Sequence, residues 1–337
     1  MTMVRQFWIG TKAQDSSSGI WRFYKGAGTP WSDVTAVLMA VAPMPTFLAV
    51  HPHAERLYAV GEGSKGGVAS YDVGTDCSLH RTGTIASGGV GPCHLLVHPQ
   101  GQWLYVANYG DGTLGAIELT EAGDVGEHVR RYTHSGSGPV SERQDGSHAH
   151  FCALSPGGDW LIVTDLGTDQ LRAYPLDEGM PEDEPVLTAL PAGFGPRHLA
   201  MTGDHLYVAG ELSGEIATID WDEGDGQGEV VHTEAASTAD GPHQLSHIER
   251  SGDLLFVGVR GADTLATLAI SGDGASTRLL GEVTTAAWPR HLSVAGEYVL
   301  VAGENADEVA VHPVTNGQAG EATDRIAVPG PMCVLPM

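Results

Sequence analysis

The stretch GPRHLAMTGDHLYVAGELSGEIATID, Gly195–Asp220, decides how the chain folds. Gly-Pro opens a short run that ends at a Gly-Asp turn. A second run, HLYVAGE, is apolar through its middle, and a turn at Ser213-Gly214 leads into a third, EIATIDW. Runs this short, bounded by glycine and aspartate and without a helical period, read as three consecutive strands.

The trio recurs along the chain. First strands stand at PTFLAVHP (Pro45–Pro52), GPCHLLVHP (Gly91–Pro99), SHAHFCALSP (Ser147–Pro156), GPHQLSHI (Gly241–Ile248), WPRHLSV (Trp288–Val294) and GPMCVLPM (Gly330–Met337). Second strands read QFWIGTK, RLYAVGE, WLYVANY, WLIVTDL, LLFVGVR and YVLVAGE. Third strands read GIWRFYK, GVASYDV, TLGAIEL, QLRAYPL, TLATLAI and EVAVHPV. Segments such as Val34–Ala42 and Glu184–Ala192 supply fourth, outer strands. A period of about 42–55 residues is that of four-stranded propeller blades. The expected fold is all-β: a seven-bladed β-propeller occupying residues 1–337 as one domain. The chain opens with a second-type strand, Gln6–Lys12, and closes with a first-type strand, Gly330–Met337. The ring is therefore expected to close by pairing the N- and C-terminal strands, which removes an open sheet edge.

Composition narrows the function. The 337 residues carry a formal net charge of −25, a field that repels nucleic acid and anionic membrane surfaces. An anionic ligand would need a local cluster of arginines. No apolar stretch is long enough to span a bilayer, and Met1–Trp8 has no apolar core of a signal peptide, so a cytoplasmic protein is expected. The four cysteines are widely spaced and form no C-x-x-C pair, which argues against a zinc site or a disulfide framework. No dinucleotide fingerprint, H-E-x-x-H or G-x-S-x-G elbow stands in a suitable context, so neither cofactor, metal nor covalent serine is expected.

In such a ring the first strands line a central channel, and the second-strand ends reach one of its mouths. First-strand starts place His94, His148, His150, Arg197, His198, His243, His247, Arg290 and His291 there. Second-strand ends add Glu62, Asn108, Tyr109, Asp165, Glu211, Arg260 and Glu304. Buried charges must pair, meet water or bind a ligand. A structural role for single histidines stays open, but Arg197, Glu211 and Arg260 together are hard to explain as packing. The polar, glycine-rich segment Ser135–His150 interrupts the repeat, and is expected to lay Arg143 and Gln144 over the channel mouth.

Three stretches, Ser135–Tyr174, Gly193–Leu212 and His98–Leu114, resemble the seven-bladed β-propeller lactonases. That family includes the propeller-type bacterial 6-phosphogluconolactonases and the fungal carboxy-cis,cis-muconate cyclase. The likeness rests on the G-x-G-P…R-Q…H-x-H…S-P…D-L-G-x-D string and on G-P-R-H followed by E-L, and it runs over essentially the whole chain. Two turns depart from the family pattern, at Ser155-Pro156-Gly157-Gly158 and at Thr202-Gly203-Asp204, both at the far end of a first strand. The resemblance implies a lactone-handling site, with His150, Arg197, Glu211 and Arg260 matching the family's catalytic set. Arg143, His148, His94, Tyr109, His247 and Arg290 are the expected substrate-binding neighbours.

The expected chemistry is direct, metal-independent attack of water on a sugar lactone, of the 6-phosphogluconolactonase type that the resemblance implies. Arginines would stabilise the carbonyl oxygen or clamp a phosphate or carboxylate. His150 is the first candidate for the base and Glu211 the second. Two alternatives stand beside this. One is a carboxylated-lactone cyclase or lactonase, and the other is a propeller that binds a partner without catalysis.

Overall fold

The computed structural model describes residues 5–12, 15–63 and 66–337. These residues form seven antiparallel sheets, each built on four strands running from the channel outward. We number the blades by their second strands: Arg5–Thr11, Arg56–Gly61, Trp103–Asn108, Trp160–Asp165, His205–Gly210, Leu254–Arg260 and Tyr298–Gly303 for blades 1 to 7. Blades 4 and 7 each add a two-residue strand, Met180–Pro181 and Gln318–Ala319. A single 3-10 turn, Trp31–Asp33, is the one helical segment among the described residues.

The expected first, second and third strands all appear, and so does the closure. Blade 1 takes three strands from the start of the chain, while its inner strand, Pro331–Pro336, pairs antiparallel with Arg5–Thr11.

Strand alternation explains how the sheets stack. On blade 1, Phe7 and Ile9 pack toward blade 7 against Leu300 and Val309, while Trp8 between them packs toward blade 2 against Leu48 and Leu57. Successive residues of a strand point to opposite faces, so each blade feeds two interfaces. An apolar cluster fills every junction around the ring, including that of blade 7 with blade 1.

Two recurring hydrogen bonds tie neighbours together. The tyrosine of the second strand reaches a turn glycine of the next blade: Tyr58 donates to the Gly123 carbonyl, Tyr105 to Gly179 and Tyr207 to Gly274, the last at 2.9 Å. Blade 4 has Trp160 near this place, and its Nε1 donates to the Glu223 carbonyl at 2.8 Å. At the mouth side, the turns between second and third strands hold Asp169, Asp263 and Asp307 in the left-handed region, with φ of 52°, 54° and 53°. Each carboxylate accepts backbone N–H groups from the entry to the following blade: Gly193 and Gly195, Trp288, and Gly330 respectively. Aspartate tolerates this backbone better than most residues, and here it orders the loops that precede the inner strands.

The inner strands carry the feature that shapes the channel. Pairing with the second strand shifts register between Pro92 and His94, between Ala149 and Phe151, between Pro196 and Leu199, and between Pro289 and His291. A bulge of this kind re-aims side chains. Adjacent residues that would otherwise face opposite ways, such as Arg197 with His198 and Arg290 with His291, both line the channel.

Deleting residues 330–337 removes the closing strand and the buried Met332, Cys333 and Val334. Each side chain is worth about 1.5–3 kcal/mol of burial, and an open edge remains. The truncated chain should unfold at least about 10 °C below the full one in a circular dichroism melt. An unchanged melting temperature would show that the ring does not depend on this pairing.

Candidate functional site

At one mouth the channel opens into a cavity of about 360 Å³. His150 reaches it from the inner strand of blade 4, Arg143 from the loop before that strand, and Glu211 and Arg260 from the second-strand ends of blades 5 and 6. Glu62, Cys93, Tyr109, Gln244, Trp288 and Arg290 complete the wall. A narrow extension below shares Glu62, Cys93 and Arg290 with it and is bordered by Arg197 and His198.

Glu211 is the centre of the site. One carboxylate oxygen lies 2.7 Å from Arg260 Nη2 and 3.0 Å from Arg197 Nε, and the other lies 2.5 Å from Arg143 Nη2. Glu211, Arg197 and Arg260 are each about 3 % exposed or less. Burial alone would raise the Glu211 pKa, but Arg260, Arg197, His150 and Arg143 outweigh it and hold the carboxyl well below its usual range. Glu211 is thus an anion shared among three guanidinium groups. Burial, with Arg290 and Arg260 nearby, presses the Arg197 pKa down, and Glu211 presses it back up. A guanidinium stays protonated across the neutral range, so all three arginines are cations here.

Their remaining contacts fix orientation. Arg260 Nη2 also donates to the Leu245 carbonyl at 3.0 Å, and its guanidinium carbon lies 5.5 Å from the centroid of the Trp288 ring. Arg143 Nη2 also donates to the Tyr109 hydroxyl at 3.3 Å. Arg197 is less well served. Its Nε–H is not aligned on Glu211 despite the short separation, and its Nη1 has no partner among the described residues. Buried donors without acceptors cost about 1–3 kcal/mol each, and invite a ligand.

His150 presents the complementary deficit. Its Nδ1 is buried without a hydrogen-bond partner among the described residues. Burial, then the Arg197 charge, lower its pKa well below the usual value, so the imidazole is neutral near pH 7. Cys93, beside it, is no nucleophile: burial and Glu62 push its pKa up to about 12, leaving a protonated thiol.

Several expected residues lie elsewhere. His94 and His247 do not border the cavity. They sit one layer deeper, where Phe47, His94, Phe151, His198, His247 and His291 form a contiguous set of rings with neighbouring centroids 3.9 to 6.3 Å apart. The inner-strand bulge separates the two layers, with Arg197 above His198 and Arg290 above His291. His148 lies at the rim, stacked on Tyr109 at 4.5 Å, with Nδ1 2.7 Å from the Tyr109 carbonyl. Its contacts position Tyr109, and it is not part of the cavity wall. Of the loop Ser135–His150, Arg143 covers the mouth as expected. Gln144 instead turns inward and is fully buried, bonded to the Leu166 carbonyl and Asp169, and it anchors the loop. His243 binds the Ala239 carbonyl outside the cavity wall, Asn108 binds the Ser87 and Thr113 carbonyls, and Asp165 is taken up by Ser147, His148 and Arg172. Glu304 pairs with Lys12 at 3.1 Å and stands 4.0 Å from Arg290. Sequence reasoning did not select Cys93, Gln244 and Trp288. The first-strand alignment held the signal, since all three stand at the opening of an inner strand.

Comparison with known proteins agrees with the fold. The family model described as "Lactonase, 7-bladed beta-propeller" matches residues 6–336. A 6-phosphogluconolactonase of Bacillus subtilis is 27% identical over 345 residues, covering 97% of each chain. A crystal structure of a protein from Lactobacillus plantarum is 29% identical and superposes with a TM-score of 0.90, covering 99% of this chain and 100% of that one. The periplasmic gluconolactonase of Pseudomonas aeruginosa shares the fold at a TM-score of 0.89, with 24% identity and 99% of both chains covered. No helix of the described residues is long and apolar enough to cross a membrane.

Replacing Glu211 with Gln leaves buried guanidinium groups without their anion and should cost about 3–5 kcal/mol in denaturant unfolding. A loss under about 1 kcal/mol would mean that the arginines do not rely on this carboxylate. The histidine layer has its own signature. Burial lowers the pKa of His94, His198 and His247 well below the usual value, and that of His291 to about 3. These groups are neutral in the folded chain but take up protons in the unfolded chain below about pH 6.5. Stability is therefore full above that pH and is lost as the pH falls toward the folded-state values. The loss should reach about 2 kcal/mol per histidine between pH 7 and pH 5. Denaturant midpoints that do not change over that interval would contradict the burial of neutral rings.

Proposed function

The chain belongs to the seven-bladed β-propeller lactonase family, and we propose that it hydrolyses a phosphorylated sugar lactone of the 6-phosphogluconolactone type. The observation that carries the reading is a pair of unmet needs among the described residues: Arg197 N–H groups without an acceptor on the narrow extension, and His150 Nδ1 without a partner on the wall of the cavity it continues.

A lactone carbonyl seated beside Arg197, with the attacking water donating to His150, answers both. Its oxygen accepts from Arg197, with the Arg260 charge alongside. Charge that develops on that oxygen meets donors already in place, an effect worth about 3–4 kcal/mol per donor. Water attacks the carbonyl carbon and gives a proton to His150, whose neutral ring is the base form. The bond from that carbon to the ring oxygen then breaks, and the ring oxygen leaves as a hydroxyl by taking the proton back. The product is the open-chain acid. Glu211 is not the base in this scheme. Both of its oxygens are occupied by arginines and its pKa is held down, so it positions Arg197, Arg260 and Arg143. Tyr109 and Arg143 close the mouth, and no step is routed through a metal.

The wall charges favour an anionic substrate. Arg143, Arg197, Arg260 and Arg290 face Glu211 and Glu62, which leaves local positive charge in a chain of net charge −25. The same arginines would hold a carboxylate as readily as a phosphate, so a carboxylated lactone is the second reading. A cytoplasmic location belongs to this proposal, in keeping with four unpaired thiols.

Purified protein should accelerate opening of 6-phosphogluconolactone over the buffer rate, with gluconolactone and a carboxylated muconolactone as comparison substrates. Arg197→Ala should lower kcat/KM by more than about tenfold, and EDTA should leave the rate unchanged. Wild-type rates equal to buffer on all three lactones would sink the proposal. A rate abolished by EDTA and restored by a metal would overturn the metal-free route.

A further inference from the structure

Trp288 occupies a backbone position that glycine fills in four other blades of this ring. The residue before the proline that opens an inner strand sits in the left-handed region in blade after blade: Gly91 at φ 62°, Gly195 at 63°, Gly241 at 108° and Gly330 at 48°. Glycine adopts such angles without steric conflict. Blade 2 places Met44 there, at φ 47°, and blade 7 places Trp288, the bulkiest of the set, at φ 57°. A bulky residue there is strained, and it persists only where the surroundings hold it. They do: the Trp288 N–H donates to Asp263 at 2.9 Å, and its carbonyl accepts from the Glu304 N–H at 3.1 Å.

What the strain secures is an indole in the cavity. The ring is half-buried, borders the same space as His150 and Glu211, and lies beside the Arg260 guanidinium. The other wall residues are mostly charged or polar, and the hydroxyl of the other aromatic, Tyr109, is engaged with Arg143. A flat apolar surface among fixed cations recognises a compact ring that carries an anionic substituent. The carbon–hydrogen face of a sugar ring packs on it, while the anion meets arginine.

We propose that Trp288 is a specificity-determining residue, the wall on which the closed ring of the substrate packs, so that the site prefers the cyclic lactone to its open-chain product. The proposal rests on the lactonase reading, but its test needs no turnover. The probes are 1,5-anhydroglucitol 6-phosphate, a ring without an ester, and glucitol 6-phosphate, its open-chain counterpart with the same phosphate.

Calorimetric titration of the wild type should show the ring compound bound about tenfold more tightly than the open chain. Trp288→Phe should keep most of that preference. Trp288→Gly, which supplies the residue the backbone favours, should erase it while the open-chain affinity stays the same. Trp288→Leu keeps apolar bulk without a flat ring, guards against misfolding of the glycine variant, and should retain about threefold or less. A folded glycine or leucine variant with the full preference, or a wild type without any, would overturn the proposal. Failure of the lactonase reading would appear separately, as absent hydrolysis by a wild type that still prefers the ring.

Discussion

Antiparallel pairing between Arg5–Thr11 and Pro331–Pro336 is the constraint on which the rest of the molecule depends. It turns a row of sheets with two unpaired edges into a ring, and it completes the apolar junction between blades 7 and 1. Once the ring exists, each inner strand faces every other across one channel. Glu62, Cys93, His150, Glu211, Arg260 and Arg290 come from six successive blades, yet they border one cavity. No two neighbouring blades alone would bring these side chains together.

The electrostatics of the mouth follow from that convergence. The surface is strongly acidic, while the channel gathers arginines around a single shared carboxylate. Excluding water strengthens each of those interactions and makes each indispensable, since a lost partner leaves a charge that the interior cannot solvate. Glu211 therefore does two jobs with one set of contacts. It makes burial of the arginines tolerable, and it aims them. The neutral histidines below extend the pattern. Their burial is tolerable only without charge, so the floor of the site is polar but uncharged.

Much of this was legible in the sequence because the repeat is regular. Gly-Pro openings and the L-Y-V-A second strands recur often enough to count blades and to place the closing strand, and the convergence of His150, Glu211 and Arg260 follows from counting. What the sequence hid was depth. The repeat puts Arg197 and His198 side by side at the mouth, but which of them lies deeper depends on a bulge set by pairing with the neighbouring strand. His94 and His247 were therefore expected one layer too high. Gln144 was misplaced for another reason: its partners, Leu166 and Asp169, lie beyond the next strand pair and are joined to it only by tertiary packing. Trp288 gives no signal of its role within its repeat, since a left-handed backbone at a non-glycine residue leaves no mark in a string of letters.

The way blade 1 is assembled also dictates a timetable. Ribosomes release Pro331–Pro336 after every other blade has been made. Until then the nascent chain displays a three-stranded sheet, Arg5–Thr11 with its two neighbours, whose inner edge has no partner, and the blades behind it can stack only as an open arc. That edge stays open until Pro331–Pro336 emerges, and only then can the blades behind it close into the ring that frames the channel mouth.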